Sequence, residues 1–85
     1  MTEFTFTVKD SSGIHARPAG LLVKEAGKYS SDIKILHNSK QADAKRIFSV
    51  MGLGVKCGDS IKLVINGEDE NLAKKELMEF LSQNL

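Results

Sequence analysis

The sequence predicts an α+β fold of two layers, with three amphipathic helices covering one face of a four-stranded sheet. Two observations carry this. Three segments alternate apolar and polar residues with a period of two, with one more short strand after a turn, and three others repeat apolar residues every three or four. In chain order they read β-α-β-β-α-β-α, and the short hairpin-like link between the second and third strands favours antiparallel pairing there. Eighty-five residues make a single domain, 1–85, large enough for one core with little to spare.

The first strand is "EFTFTVKD", where Phe4, Phe6 and Val8 alternate with Thr5, Thr7 and Lys9. "DSSG" breaks it. From Ala16 the spacing changes: Ala19, Leu22, Val23 and Ala26 form an apolar stripe, with Arg17, Lys24, Glu25 and Lys28 on the wet side. Pro18, the only proline, is tolerated in the first turn of a helix, where its missing N–H has no partner to lose. The helix therefore begins close to His15. "DIKILHN" is a second strand with Ile33 and Ile35 facing inward, and "HNSKQAD" turns into a short third strand. His37 is expected to lie exposed beside that turn. "IFSVMGLG" places Ile47, Val50 and Met51 at helical spacing and ends at Gly52 and Gly54, a short helix. In "GDSIKLVINGEDE" Ile61, Leu63 and Ile65 alternate with Lys62 and Val64, and Asn66-Gly67 supplies the closing turn. Glu68, Asp69 and Glu70 then stand where a helix N-terminus favours negative charge. Ala73, Leu77, Phe80 and Leu81 are the stripe of the last helix.

At 41% hydrophobic and 27% charged residues, the composition is that of an ordinary globular protein. A net charge of +1 argues against a dedicated nucleic-acid binder. The charge is uneven: residues 11–46 hold seven Lys/Arg against three Asp/Glu, and residues 47–85 hold four against six. The His15 side is thus mildly basic, which suits an acidic partner or a phosphate. Cys57 is the only cysteine and no Cys/His spacing suggests a metal site, so neither metal nor cofactor is expected. The N-terminus has no apolar run with a cleavage site, and no stretch approaches the ~20 apolar residues of a membrane span. A cytoplasmic protein without membrane insertion is expected.

The chemistry centres on "GIHARPAG". A neutral imidazole is a competent nucleophile. Directly after His15 come the free N–H groups and the positive end of a helix, a ready place for an anion. Arg17 adds a planar, permanently charged fork suited to phosphate oxygens. His15 could thus accept a phosphoryl group, stabilised by Arg17 and by the backbone N–H groups of Ala16 and Arg17. Such transfer depends on positioning and charge stabilisation and needs no acid–base pair. A surface histidine without a role is the alternative. Other signals are weak. "GLGVKCG" lacks the third glycine of a dinucleotide loop, and Asp10, Ser12 and His15 lack the G-x-S-x-G elbow of a hydrolase.

"GIHARPAGLLVKEAGKYSSDIKI" resembles the active-site segment of HPr, the histidine-containing phosphocarrier family of the bacterial phosphoenolpyruvate-dependent sugar phosphotransferase system. The likeness continues through "NSKQADAKRIFSVMGLGVKCGDSIKLVINGEDE" and covers essentially the whole chain. It implies an open-faced β-sandwich with antiparallel strands in the order 1-4-2-3. It also implies that His15 is phosphorylated at Nδ1 by Enzyme I and passes the group to sugar-specific IIA units, with Arg17 contacting the phosphate. The chain would then be a stoichiometric, monomeric carrier rather than an enzyme.

In that family the partners dock around the histidine on the first two helices, and the matching positions here include Gly20, Leu21, Lys24, Ile47, Phe48 and Met51. Leu21 and Phe48 fall off the buried stripes, so a small apolar patch rimmed by Lys24 and Lys45 is expected beside His15. Many Gram-positive relatives carry a regulatory serine at the start of the second helix, the target of a dedicated kinase. This chain has Arg46 there, so that switch is expected to be absent, and nothing marks Ser49, one turn on, as a substitute. Gly20 stands where threonine is commoner and costs roughly 1 kcal/mol of helix propensity against alanine. Two other functions stay open: a regulatory binding module using the same surface, and a nitrogen-related phosphotransfer paralogue.

Overall fold

The computed structural model describes residues 1–85. Its elements are β1 (Thr2–Thr7), α1 (Ala16–Ala26), β2 (Asp32–His37), β3 (Lys40–Asp43), α2 (Ile47–Met51), β4 (Ser60–Asn66) and α3 (Glu70–Asn84). The order is the one that the periodicities predict. The strands form one antiparallel sheet in the order β1-β4-β2-β3, and the helices lie together on one face of it. The second helix is short, as expected: Gly52 caps it in right-handed geometry (φ −66°, ψ −12°) and the chain turns left-handed at Gly54 (φ +68°).

Register explains the sheet's two faces. Phe4 pairs with Leu63, Leu63 with Ile35, and Ile35 with Ala42, so one row of apolar side chains crosses all four strands. Leu63, Ile35 and Ala42 in that row are buried, and Phe4 at the sheet edge is half-buried. Helix α3 lies over β1 and β4, and α1 packs between α2 and α3. Pro18, Ala19, Leu22 and Ala26 of α1, with Ala73, Leu77 and Leu81 of α3, close one continuous core of 20 residues. Each large side chain fully buried there contributes about 1.5–3 kcal/mol over leaving it in water. Val23 and Phe80, placed on these stripes by their spacing, are only partly buried.

His37 corrects the sequence expectation. Its side chain is buried, with Nδ1 3.0 Å from the Leu53 carbonyl oxygen and Nε2 3.0 Å from Asp59 Oδ2. The Leu53 carbonyl oxygen and the Asp59 carboxylate stand on opposite sides of the ring, so the imidazole bridges two polar groups from inside the fold. The alternation of β2 puts residue 37 on the same inward face as Ile33 and Ile35. The turn signal of Asn38, which takes φ +56°, masked a period that runs one residue further. His37 thereby ties the end of β2 to the loop between α2 and β4.

Asp69 stands at the start of α3, where the sequence places negative charge, and it also supplies a second tie. Its carboxylate does not cap α3. It accepts the N–H groups of Ser30 (2.9 Å) and Ser31 (3.0 Å) and the Ser31 hydroxyl, pinning the α1–β2 loop to the start of α3. Those bonds, the Ser31 hydroxyl first, hold its pKa below the usual aspartate value. A depressed carboxylate stabilises the fold fully above the ordinary aspartate range, at about pH 4, and loses that contribution as pH falls through its folded value. Asp69→Asn is therefore expected to lower stability at neutral pH and to flatten the acid limb of a urea-midpoint-against-pH curve below about pH 4. Parallel curves for the two proteins would show that the tie carries no charge dependence.

Candidate functional site

The loop from Val8 to His15 is held on two sides. Toward the α2–β4 loop, Val8 N–H donates to Asp59 O (2.9 Å), Gly58 N–H to Val8 O (2.7 Å) and Ile14 N–H to Val55 O (3.1 Å). Toward the end of α3, the N–H groups of Lys9 (2.6 Å) and Asp10 (2.8 Å) both donate to the Leu85 oxygen. Gly13 lies against Val55 and Lys56 at φ +67°, so close that a Cβ there would meet the Val55 carbonyl and stand 2.8 Å from Lys56 Cα. Only glycine fits that backbone and that approach.

This loop delivers His15 to the N-cap of α1 in extended geometry (φ −100°, ψ −173°). Buried Ile14 and Pro18 hold the chain on either side, while the imidazole points to solvent. The side chain of His15 makes no capping bond. The N–H groups of Ala16 and Arg17 donate to no protein acceptor, and Pro18 has no N–H to offer. The first turn of α1 therefore presents two free donors beside the ring, with the positive end of the helix behind them. Arg17 is exposed and in no ion pair. Asp10 Oδ1 lies 3.8 Å from His15 Nε2, a neighbour that spacing alone did not single out. These groups border a shallow cleft of about 280 Å³, closed on one side by Leu21 and on another by Gln83 and Asn84 at the end of α3. A larger groove of about 640 Å³ lies between β1 and α3, floored by Phe4, Phe6 and Met78, and holds none of these residues. Concavity and reactive groups are thus separated. An open, polar setting is what group exchange between two proteins requires, because the partner supplies the other wall.

The residues matched to docking positions gather next to this cleft. Leu21 of α1 is 42% exposed, Phe48 of α2 is 84% exposed and Met51 is 36% exposed. Ile47 is half-buried between them and Lys24 is exposed. Lys45 departs from expectation: its Nζ donates to the Tyr29 carbonyl at 2.7 Å, which commits it to the C-terminal end of α1. Lys24 is left as the free cation on that rim. Arg46 is the N-cap of α2, extended (φ −123°, ψ 113°), with no side-chain cap, and Ser49 is exposed. Cys57 is exposed, its Sγ 3.6 Å from the Lys9 oxygen. His15, His37 and Cys57 do not converge, and no group of three metal-ligating side chains forms. No helix is long and apolar enough to cross a membrane.

Four antiparallel strands in the order 1-4-2-3 under three helices, with a solvent-facing histidine at a helix start, define the open-faced sandwich of the small phosphocarriers. The family described as "PTS HPr component phosphorylation site" matches residues 2–83. The chain is 42% identical over 73 residues to the phosphocarrier protein HPr of Mycoplasma capricolum subsp. capricolum, covering 86% of this chain and 82% of that one. HPr-C-His from Thermoanaerobacter tengcongensis superposes with a TM-score of 0.94 at 40% identity, over 99% of this chain and 94% of that one. A dimer of HPr from the same organism gives 0.77 at 41% identity, over 98% and 95%. The chain belongs to the HPr family of phosphocarrier proteins of the phosphotransferase system.

Gly20 is one place where the fold does not require the residue present. It has ordinary helical backbone, and a Cβ there would stand 3.7 Å from Ile47 Cδ1, normal contact. Gly20→Ala is expected to raise stability by about 0.5–1 kcal/mol, read from urea denaturation. A loss of stability would reveal a close approach that this geometry lacks.

Proposed function

We propose that this chain is a single-domain, monomeric carrier, cytoplasmic and stoichiometric rather than enzymatic, that takes a phosphoryl group on His15 Nδ1 from Enzyme I. It passes the group to sugar-specific IIA units. The observation that carries this reading is the pairing of an exposed imidazole with two unpartnered N–H groups and a free guanidinium at one helix start. The Nδ1 lone pair forms the new N–P bond as the bond from phosphorus to the donor's leaving atom breaks, and the leaving atom keeps that electron pair. Nε2 keeps its proton throughout, so the phosphorylated ring is a cation next to a dianionic group. Arg17 and the Ala16 and Arg17 N–H groups share the negative charge, and removal of the phosphoryl group by an acceptor restores the neutral ring. Pro18 fixes the backbone that aims these donors.

Docking rests on Gly20, Leu21, Lys24, Ile47, Phe48 and Met51, an apolar patch with a cationic rim contiguous with the cleft. Transient interfaces draw most of their energy from a few such side chains near the centre. Regulation by a serine kinase at position 46 is absent in this reading, because Arg46 has no hydroxyl to accept phosphate. Stoichiometric kinase-dependent phosphate at Ser49 would overturn that part.

Incubation with phosphoenolpyruvate and purified Enzyme I is expected to add one acid-labile phosphate to the wild type and none to His15→Ala, read by intact mass. Arg17→Gln should slow transfer by roughly ten- to a hundredfold, the equivalent of the ~1.5–3 kcal/mol carried by a hydrogen bond to a charged group. No label on a folded wild type, with the donor verified on another carrier, would move the assignment to the nitrogen-related paralogue or the regulatory module. Phe48→Ala should raise the apparent KM for the Enzyme I step at least about fivefold with the fold unchanged, since truncating a central contact costs more than ~1 kcal/mol. An unchanged KM would remove Phe48 from the docking surface.

A further inference from the structure

We propose that Asp10 is a positioning residue for His15: its carboxylate keeps the ring proton on Nε2 and stabilises the cationic ring while phosphate is attached to Nδ1. The inference rests on the carrier reading above and extends it to a residue outside the H-x-R-P segment. Asp10 Oδ1 is 3.8 Å from His15 Nε2, and Asp10 is the one carboxylate bordering the cleft. Arg17 is the other charged side chain facing that space. Asp10 is also held with little freedom to turn away. Its N–H donates to the Leu85 oxygen (2.8 Å), its own carbonyl accepts Gly13 N–H (2.9 Å), and its Oδ1 accepts Ser12 N–H (2.8 Å). Two of these bonds fix the Asp10 backbone and the third fixes Oδ1 itself, which together hold the carboxylate on the Nε2 side of the ring.

The consequence follows from the two ring nitrogens. A neutral imidazole carries one proton, and a carboxylate beside Nε2 favours the form with the proton there. That leaves the lone pair on Nδ1, the atom the reaction uses. When Nδ1 forms its bond to phosphorus and the donor's bond breaks, the proton stays on Nε2 and the ring gains a positive charge 3.8 Å from Asp10. The carboxylate then favours the loaded carrier by direct attraction. Both side chains are partly exposed, with relative exposures of 46% and 32%, so water and salt weaken that attraction.

The test is Asp10→Asn, which keeps an oxygen acceptor for Ser12 N–H and removes the charge, compared with Asp10→Ala, which removes both. Two readouts are used. Nitrogen-15 NMR of the unphosphorylated proteins at alkaline pH reports which ring nitrogen of His15 holds the proton. The position of the phosphoryl-transfer equilibrium with Enzyme I and phosphoenolpyruvate reports the stability of the loaded form. Asp10→Asn is expected to reduce the Nε2-protonated share and to shift the equilibrium against the loaded carrier by roughly threefold at low salt. That difference should shrink in 0.5 M KCl, which a loss of packing would not produce. A tautomer ratio and an equilibrium equal to wild type in Asp10→Asn would overturn the proposal, even if Asp10→Ala were impaired through its lost turn bond. If neither wild type nor variant takes up phosphate, the carrier reading fails, and the tautomer ratio alone still decides the role of Asp10.

Discussion

Left-handed backbone at Gly13 (φ +67°), pressed against Val55 and Lys56, is the constraint from which the site is built. The contact lets Ile14 N–H reach Val55 O and bury its side chain, and that fixes where His15 enters the helix. Any side chain at position 13 would force the loop off the α2–β4 segment and move the imidazole with it. The cost would fall on both links at once: about 1–3 kcal/mol of backbone strain, and a displaced histidine. The α2–β4 loop is itself immobilised from behind by His37, which holds the Leu53 carbonyl and Asp59. Asp59 in turn accepts Lys56 N–H at 2.9 Å, the first cause of its lowered pKa, with His37 adding to it. A chain of short polar contacts thus runs from the interior of the sheet to the residue before the histidine.

The surface around His15 inverts the usual economy of a binding site. Apolar groove volume is greatest between β1 and α3, yet the free donors, the guanidinium and the imidazole are all at the open start of α1. For a member of a phosphocarrier family, deep burial of the reactive group would raise the cost of each exchange. Beside the shallow cleft, Leu21, Phe48 and Met51 are apolar side chains left exposed on the first two helices. The patch is small, its cation is Lys24, and α2 is only five residues long (Ile47–Met51). A short helix at that place serves to present Phe48 outward while Val50 anchors it in the core.

Which of these features the sequence could reveal follows from how each is encoded. Strand and helix faces are written in local periodicity, so the order of elements, the burial of Ile33, Ile35, Leu63 and Leu77, and the exposure of Leu21 and Phe48 were all legible. The cross-sheet order came from likeness to a family, since period-two segments do not say which strand lies next to which. Contacts between residues distant in sequence were not legible. Lys45 reaching Tyr29, Asp69 reaching Ser30 and Ser31, and the Leu85 oxygen receiving Lys9 and Asp10 are separated by at least sixteen positions each. His37 is the instructive middle case. Its inward parity was present in the sequence, but a polar residue before a turn reads as exposed unless its buried partners are known.

Polar groups in this chain act mainly by fixing loops, and that accounts for how an 85-residue fold holds a reactive side chain in water without enclosing it. The core belongs to the sheet face and the helix stripes, and its one member within the first turn of α1 is Ala19, with buried Pro18 beside it. Order at the site therefore has to come from backbone hydrogen bonds to two separate elements, the α2–β4 loop and the end of α3. Because those anchors converge on residues 8–14, the segment before His15 is more constrained than the residue itself. Such an arrangement gives a nucleophile a fixed origin and a free face. It also places Asp10, the most heavily bonded residue of the loop, 3.8 Å from His15 Nε2 and leaves Nδ1 without a carboxylate neighbour.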